Sequence, residues 1–313
     1  MGVGEKVTFK VLAVLCSRKD GYTASVLSHA IEGVKEVDGA EVDVVRIHDF
    51  SVKPCISCFA CVKKPGSGCI IKDDMGEKGK GELWVKTTKA NGMIIADPVH
   101  MWSSSAGAHA FIERLYPYLW TGEMNGMPFF YFSCASNQGM QRFSAKEMNR
   151  RMIPWGVRMI GPLDVHTAFL KDAFKEARKL GKKLALEAKK DAEEGRNAFE
   201  DEYEKFKYYQ KTIMPALDIY MENLSQGTNT YEKSLFPDAL DAFENEEAIP
   251  ILEKAAKEFK EALKHYKAGK TDDAITSIVK CGDYWTNATW IEYLKDNVVG
   301  AEQPKAYRPL PED

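Results

Sequence analysis

The chain has 313 residues, a formal net charge of -3 and 44% hydrophobic residues. That length suits one large domain, or one of ordinary size with an extension, and the apolar content supports a packed core rather than a disordered chain. The near-balanced charge argues against a nucleic-acid partner, and no apolar stretch is long enough to span a bilayer.

Residues 8–15, TFKVLAVL, read as a buried strand. A secretory signal is the competing reading, but Lys10 interrupts the apolar run and Cys16-Ser17-Arg18-Lys19 follows at once. A cytoplasmic protein is expected, where clustered cysteines serve as metal ligands or redox groups rather than disulfides. Val26, Leu27, Ala30, Ile31 and Val34 then recur at helical spacing. Strands are expected at 41–47, 92–96, 128–133 and 157–161, with helices over Ala108–Leu119 and Ala145–Met152 and a long one from Leu170. Five strands alternating with helices predict an α/β fold, a doubly wound five-stranded parallel sheet with helices on both faces. Beyond residue 195 only helical patterns remain: Tyr203, Phe206 and Tyr209, then Leu252, Ala255, Ala256, Phe259, Leu263 and Tyr266. Thr271 or Asp272 could cap a further helix carrying Ile275, Ile278 and Val279. Residues 226–230 and Phe236-Pro237-Asp238 read as connections, Ile251–Leu294 as a plain helical hairpin, and EQPKAYRPLPED as a polar tail. The expected division is a domain over 1–194 and an all-helical extension over 195–313.

The first strand runs into LCSRKDGYTAS, residues 15–25. In a doubly wound sheet, ligands bind where strand carboxyl ends meet helix amino ends. Ser17, Arg18, Thr23 and the backbone N–H groups there suit an anion such as a phosphate, with Gly21 easing a tight turn. The competing reading is that Ser17 and Thr23 merely cap the helix.

Four of the seven cysteines fall in KPCISCFACVKKPGSGCIIKDDM, residues 53–75. Cys55, Cys58 and Cys61 have Cys-x2-Cys-x2-Cys spacing, and Cys69 follows after seven intervening residues. Structural zinc sites more often use two separated Cys-x2-Cys pairs, whereas three thiolates at intervals of three resemble iron–sulfur ligation. Zinc and free thiols remain as alternatives.

Ser17-Arg18-x-x-Gly21-x-Thr23 after the first strand resembles the flavin-phosphate loop of flavodoxin-like NAD(P)H-dependent FMN reductases. ANGMIIADPVHMWSSSAGAHAFIERL, residues 90–115, resembles their second flavin loop through Pro98, Val99, Phe111, Ile112, Glu113 and Arg114, with His100 where Tyr is common. The third loop, Ser133–Met140, fits by position but lacks paired glycines. Cys69-Ile70-Ile71-Lys72-Asp73-Asp74-Met75 resembles the close of the compact cysteine motif of the iron–sulfur flavoprotein family. The resemblance covers about residues 8–190 and implies a flavodoxin-like fold. It also implies FMN held by Ser17, Arg18, Gly21, Tyr22, Thr23, Pro98, Val99, His100, Met101, Trp102, Ser103, Ser136 and Asn137. A 4Fe–4S cluster on Cys55, Cys58, Cys61 and Cys69 completes the implied cofactors. The implied activity is that of a flavin-dependent oxidoreductase passing electrons between a ferredoxin-like carrier and a two-electron donor or acceptor. NAD(P)H is a further candidate donor. The resemblance implies an anaerobe's protein and a homo-oligomer, dimer or tetramer. The alternatives are an NAD(P)H-dependent FMN or quinone-type reductase without a cluster, and a non-enzymatic redox sensor or docking protein.

Other residues divide between chemistry and packing. His100 could meet the flavin or its substrate, or serve structure, and is the one catalytic candidate. Trp102 could stack on the flavin or pack, and Asp73 and Asp74 could cap or tie down the cysteine loop. His109 and His166 lack metal-ligand spacing, and Cys16, Cys134 and Cys281 read mainly as buried packing residues. Tyr284, Trp285, Trp290 and Tyr293 read as core, with an oligomer interface or a lid over the flavin as the other readings.

Overall fold

The computed structural model describes residues 7–212 and 215–294. The proline-rich tail lies outside them, as does the side chain of Tyr293. The described residues form two compact units divided between Ala198 and Phe199.

In the first unit, strands β1 (Phe9–Leu15), β2 (Ala40–Arg46), β3 (Gly92–His100), β4 (Ser103–Ser104), β5 (Pro128–Ala135), β6 (Arg158–Met159) and β7 (Leu163–His166) make one sheet. The order β2-β1-β3-β5-β6 is parallel throughout; β7 also pairs parallel with β5, and β4 folds back antiparallel on β3. This is the flavodoxin-like doubly wound arrangement. The fifth strand is not the continuous 157–161 segment expected. It comes in two pieces, β6 and β7, separated by Ile160-Gly161-Pro162, because proline cannot donate to a ladder. Strand β3 runs past the expected end at Ala96, because Asp97 and Pro98 stay in register with Ser133 and Cys134.

The alternation of side chains explains the layers. Along β1, Leu12 and Val14 face one core while Val11, Ala13 and Leu15 face the other. The first core is covered by α3 (Glu82–Thr88), α4 (Ala106–Glu113), α5 (Pro117–Thr121) and α6 (Gln141–Arg151). The second is covered by α1 (Tyr22–Lys35) and α7 (Leu170–Glu194). A four-residue helical turn, α2 (Ala60–Lys63), lies within the cysteine segment. The single helix expected over Ala108–Leu119 is two, α4 and α5, since Pro117 lacks the N–H needed to continue and instead opens α5. Helix α6 starts four residues before Ala145, behind Met140 at a φ of 71°.

The second unit is helical, with no strand among its described residues. It comprises α8 (Glu202–Gln210), α9 (Ala216–Leu224), α10 (Leu235–Ala242), α11 (Ile249–Lys267) and α12 (Thr271–Thr289). Leu252, Ala255, Ala256, Phe259, Leu263, Ile275, Ile278 and Val279 are buried, so α11 and α12 form the expected hairpin. Three expectations fail locally. Tyr284, Trp285 and Trp290 are half-buried rather than core. Phe236-Pro237-Asp238 is the first turn of α10, where a missing N–H costs nothing. Thr271 and Asp272 lie inside the first turn of α12 rather than capping it, and the acidic side chains there suit the positive helix end. No helix among the described residues is long and apolar enough to cross a membrane.

Helices α1 and α7 cross with their backbones in contact. A Cβ on Gly33 would stand 1.9 Å from the Arg178 carbonyl oxygen, and one on Gly181 would stand 2.0 Å from that of Ala30. An exposed helical Gly→Ala change gains about 1 kcal/mol. At this crossing overpacking, typically about 1–3 kcal/mol, must override that gain. Gly181→Ala should therefore lower the thermal midpoint by several degrees; a raised midpoint would show that the crossing is loose.

Candidate functional site

The order β1-β3-β5 places the loops after these strands side by side at the carboxyl edge of the sheet. At the first loop, helix α1 begins behind Gly21 with no side-chain cap and no acidic residue in its first turn. Thr23 is not a cap. It is buried and hydrogen-bonds the Cys134 thiol. Ser17 donates its Oγ to the Arg18 carbonyl at 3.1 Å. The capping reading therefore fails, and the first-turn N–H groups are left for an external acceptor. Arg18 is exposed, 3.5 Å from Asp20, and Tyr22 is exposed. Gly21 has φ -97°, which any residue adopts, so no tight turn demands glycine here.

The second loop is a hairpin. Val99 pairs with Ser104 and His100 with Ser103, leaving Met101 and Trp102 as a two-residue connection. Both have positive φ, 49° and 66°. This is the pattern of a type I′ turn, which normally takes Asn-Gly. Bulky residues there cost about 1–3 kcal/mol each. They are also 97% and 62% exposed, so the strain is not offset by packing within the chain. His100 is exposed beside them, and Pro98 and Val99 are half-buried. The hairpin is braced from below by Asp97, which is fully buried. Its carboxylate accepts from the Ser105 N–H at 3.0 Å, the Ser105 hydroxyl at 2.5 Å and the Tyr131 hydroxyl at 2.8 Å. Burial pushes the Asp97 carboxyl above its usual range despite these donors. Ser105 in turn caps α4 through the Ala108 N–H.

In the third loop Ser136 and Asn137 are exposed, and Asn137 has φ 59°. His166 Nδ1 accepts from the Ala168 N–H at 3.1 Å, so Nε2 carries the ring proton and donates to the Asn137 carbonyl, also at 3.1 Å. Sequence spacing did not reveal this anchoring role of His166.

The cysteines assemble elsewhere. Cys55, Cys58, Cys61 and Cys69 all line one cavity of about 420 Å³, together with Glu113, Arg114, Tyr116, Arg151 and Trp155. The hairpin feeds the first residue of α4, whereas Glu113 and Arg114 stand at its last turn. Eight residues at 1.5 Å each put about 12 Å of helix between the two regions. The backbone of the cysteine segment is tightly folded, with Ser57 and Phe59 at positive φ and the Ser57 N–H directed at Cys55 Sγ at 3.4 Å. Cys61 is pushed up to about 12 by burial and then by its neighbours Cys69, Cys55 and Cys58. Four soft sulfur donors on one cavity suit a sulfur-ligated metal group, and the one carboxylate in the lining, Glu113, lies 3.7 Å from Arg151. Among the described residues, no trio of His, Cys, Asp or Glu is drawn close enough for a single ion.

One buried ion pair holds this segment. Arg114 donates from Nη1 and Nη2 to the two oxygens of Asp73, at 2.5 Å and 2.9 Å, and from Nη1 to the Lys53 carbonyl at 2.8 Å. It also hydrogen-bonds the Cys69 thiol, and its buried Nε has no partner among the described residues. Asp73 accepts from the N–H groups of Lys53 and Met75, and Asp74 from that of Ser51 at 2.6 Å. The two aspartates therefore tie down the loop at both ends. Burial pushes the Asp73 carboxyl up, but Arg114 and the N–H donors outweigh it and leave it below its ordinary range. Sequence reasoning carried Arg114 only as part of a motif and missed Arg151, Tyr116 and Trp155, which reach the cavity from distant helical positions.

Asp73→Asn leaves the guanidinium buried and uncompensated, a loss of about 3–5 kcal/mol. Asp73 titrates lower in the folded chain than its unfolded value of about 3.9. Its stabilisation is complete above that value and disappears as pH falls through the folded value. Asp73→Asn should remove this part of the acid-side stability loss; urea midpoints from pH 7 down to pH 3 check both effects.

The model of the NADPH-dependent FMN reductase family matches residues 9–166. An iron–sulfur flavoprotein of Archaeoglobus fulgidus is 28% identical over 153 residues, 49% of this chain and 66% of that one. Another, of Methanosarcina thermophila, is 35% identical over 97 residues, 31% of this chain and 47% of that one. The chain thus spans less than two thirds of the length of these relatives. Among solved structures, a flavone reductase aligns with a TM-score of 0.45 at 14% identity, covering 60% of this chain and 65% of that one. An azoreductase from Bacillus anthracis aligns at 0.44 and 13%, covering 56% and 100%. The chain belongs to the NADPH-dependent FMN reductase family and, within it, is a relative of the iron–sulfur flavoproteins.

Proposed function

We infer that this chain is a flavin-dependent oxidoreductase that holds FMN at the carboxyl edge and a 4Fe–4S cluster in the cysteine cavity. It would move electrons between a ferredoxin-like one-electron carrier and a two-electron donor or acceptor. The observation that carries the cluster is the convergence of Cys55, Cys58, Cys61 and Cys69 on one cavity beside a buried guanidinium. When bound, FMN handles electrons singly or in pairs and the cluster handles them one at a time, which lets such a protein join partners of the two kinds.

The chain's own residues have separable tasks. The first-turn N–H groups of α1, with Ser17 and Arg18, would hold the flavin phosphate. Tyr22, Pro98, Val99, Met101 and Trp102 would cover the ring system with apolar surface, with His100 and Ser103 at its rim. Ser136 and Asn137, held by His166, would close the third side. Around the cavity, Arg114 and Arg151 supply positive charge that offsets the negative charge of a thiolate-ligated cluster. The separation along α4 agrees with a homo-oligomer in which the cavity of one subunit serves the flavin of another. Cytoplasmic, oxygen-poor surroundings are part of the same proposal.

A second reading is an NAD(P)H-dependent FMN or quinone-type reductase without a cluster, favoured by the absence of a tight ligand trio among the described residues. Iron, acid-labile sulfide and flavin assayed on protein kept from air separate the two. About four irons, four sulfides and one FMN per chain are expected from four-cysteine ligation. One FMN without iron, even after anaerobic reconstitution, would sink the cluster. Cys58→Ala should lose the iron and keep FMN. Arg18→Ala should keep the iron and bind FMN about tenfold more weakly, the size of one lost charge-assisted hydrogen bond.

A further inference from the structure

A polar ladder runs along the seam between α4 and α6, from the hairpin to the cysteine cavity. Ser103 on β4 donates its Oγ to Glu147 on α6. His109 on α4 brings Nε2 to 3.9 Å from the other Glu147 oxygen. Arg151 on α6 donates from Nη1 to His109 Nδ1, and its Nη2 lies 3.7 Å from Glu113 on α4. His109 and Glu113 are four residues apart, as are Glu147 and Arg151, so each helix places its two groups on one face. The upper rung touches the hairpin, and the lower rung, Arg151 and Glu113, lines the cavity.

The direction of the bonds is fixed. A guanidinium only donates, so His109 Nδ1 accepts and the ring proton sits on Nε2, facing Glu147. His109 is thus the one member that accepts from the cavity side and presents a donor to the hairpin side.

We propose that this ladder couples the two regions, with His109 as its positioning residue: ordering the hairpin on FMN fixes Arg151 at the cavity, and fixing Arg151 favours FMN. The proposal rests on the FMN reading above. Coupling of this kind is reciprocal, and the ladder's partial exposure to solvent places it at the weak end of the usual range, a few-fold in affinity.

The test is a mutant cycle read by FMN affinity, from quenching of flavin fluorescence on titration into the flavin-free chain, with circular dichroism to confirm folding. Arg151→Gln removes the contacts with His109 and Glu113 and touches no residue of the hairpin in the ladder, yet should weaken FMN about three- to tenfold. His109→Ala should do the same. The double variant should match either single variant rather than their product. His109→Gln should recover most of the affinity, because its amide oxygen can accept from Arg151 while its NH₂ donates toward Glu147. In cluster-loaded protein, the cluster's midpoint potential should shift on FMN binding in the wild type and not in His109→Ala. Unchanged FMN affinity in Arg151→Gln, or effects that multiply in the double variant, would overturn the coupling while leaving the FMN reading intact. A wild-type chain that binds no FMN would overturn that reading and the coupling with it.

Discussion

The Arg114 guanidinium is almost wholly withdrawn from water, 1% exposed, and its charge is answered by a single carboxylate, that of Asp73. Neither group would be tolerable there alone. The long cysteine segment has almost no regular structure of its own beyond the four-residue α2, so its shape comes from what it is tied to. Arg114 supplies the tie. It stands at the end of α4, a helix packed on the sheet through Ala108, Phe111 and Ile112. Through Asp73 and the Lys53 carbonyl it gathers the two ends of the segment onto that helix. The thiols are thus positioned by the rigid sheet, although none of them lies on it.

The same helix organises the rest of the site. Its first residue follows the hairpin braced by Asp97, and its last turn borders the cavity. A short element fixed at both ends by buried carboxylates makes a stiff spacer, and it sets the distance between the two candidate redox positions within the chain. The strand order accounts for the other half: three neighbouring strands end side by side, so three loops far apart in sequence lie together at one edge of the sheet.

Much of this was legible in residues. Alternating apolar runs located the parallel strands, because strands buried on both faces read as near-continuous hydrophobic segments. The cysteine spacing marked four residues that line one cavity, and the phosphate-loop pattern marked a helix start with no side-chain cap. What stayed illegible depends on contacts between distant segments. Asp97 went unremarked just past the expected end of the strand at 92–96, because its three donors come from Ser105 and Tyr131. His166 was marked only by its lack of metal-ligand spacing, because its partner is a backbone carbonyl in another loop. Arg151 is one of several basic residues on α6, and only packing shows that it reaches the cysteines. Gly161-Pro162 and Pro117 were visible, but their effect on continuity depends on which N–H groups the ladder or helix needs.

The Met101-Trp102 turn has a chemical consequence. Its methionine, 97% exposed, is the most accessible of the large apolar side chains among the described residues and stands at the rim of the region where redox chemistry would occur. An unshielded thioether is readily converted to the sulfoxide, which replaces a soft apolar tip with a polar, chiral one. Peroxide, giving one oxygen to the sulfur and leaving as water, would then injure this protein at the hairpin tip as well as at its thiols. The covering surface over the first site would become wet even in molecules whose cysteines had been restored to the reduced state.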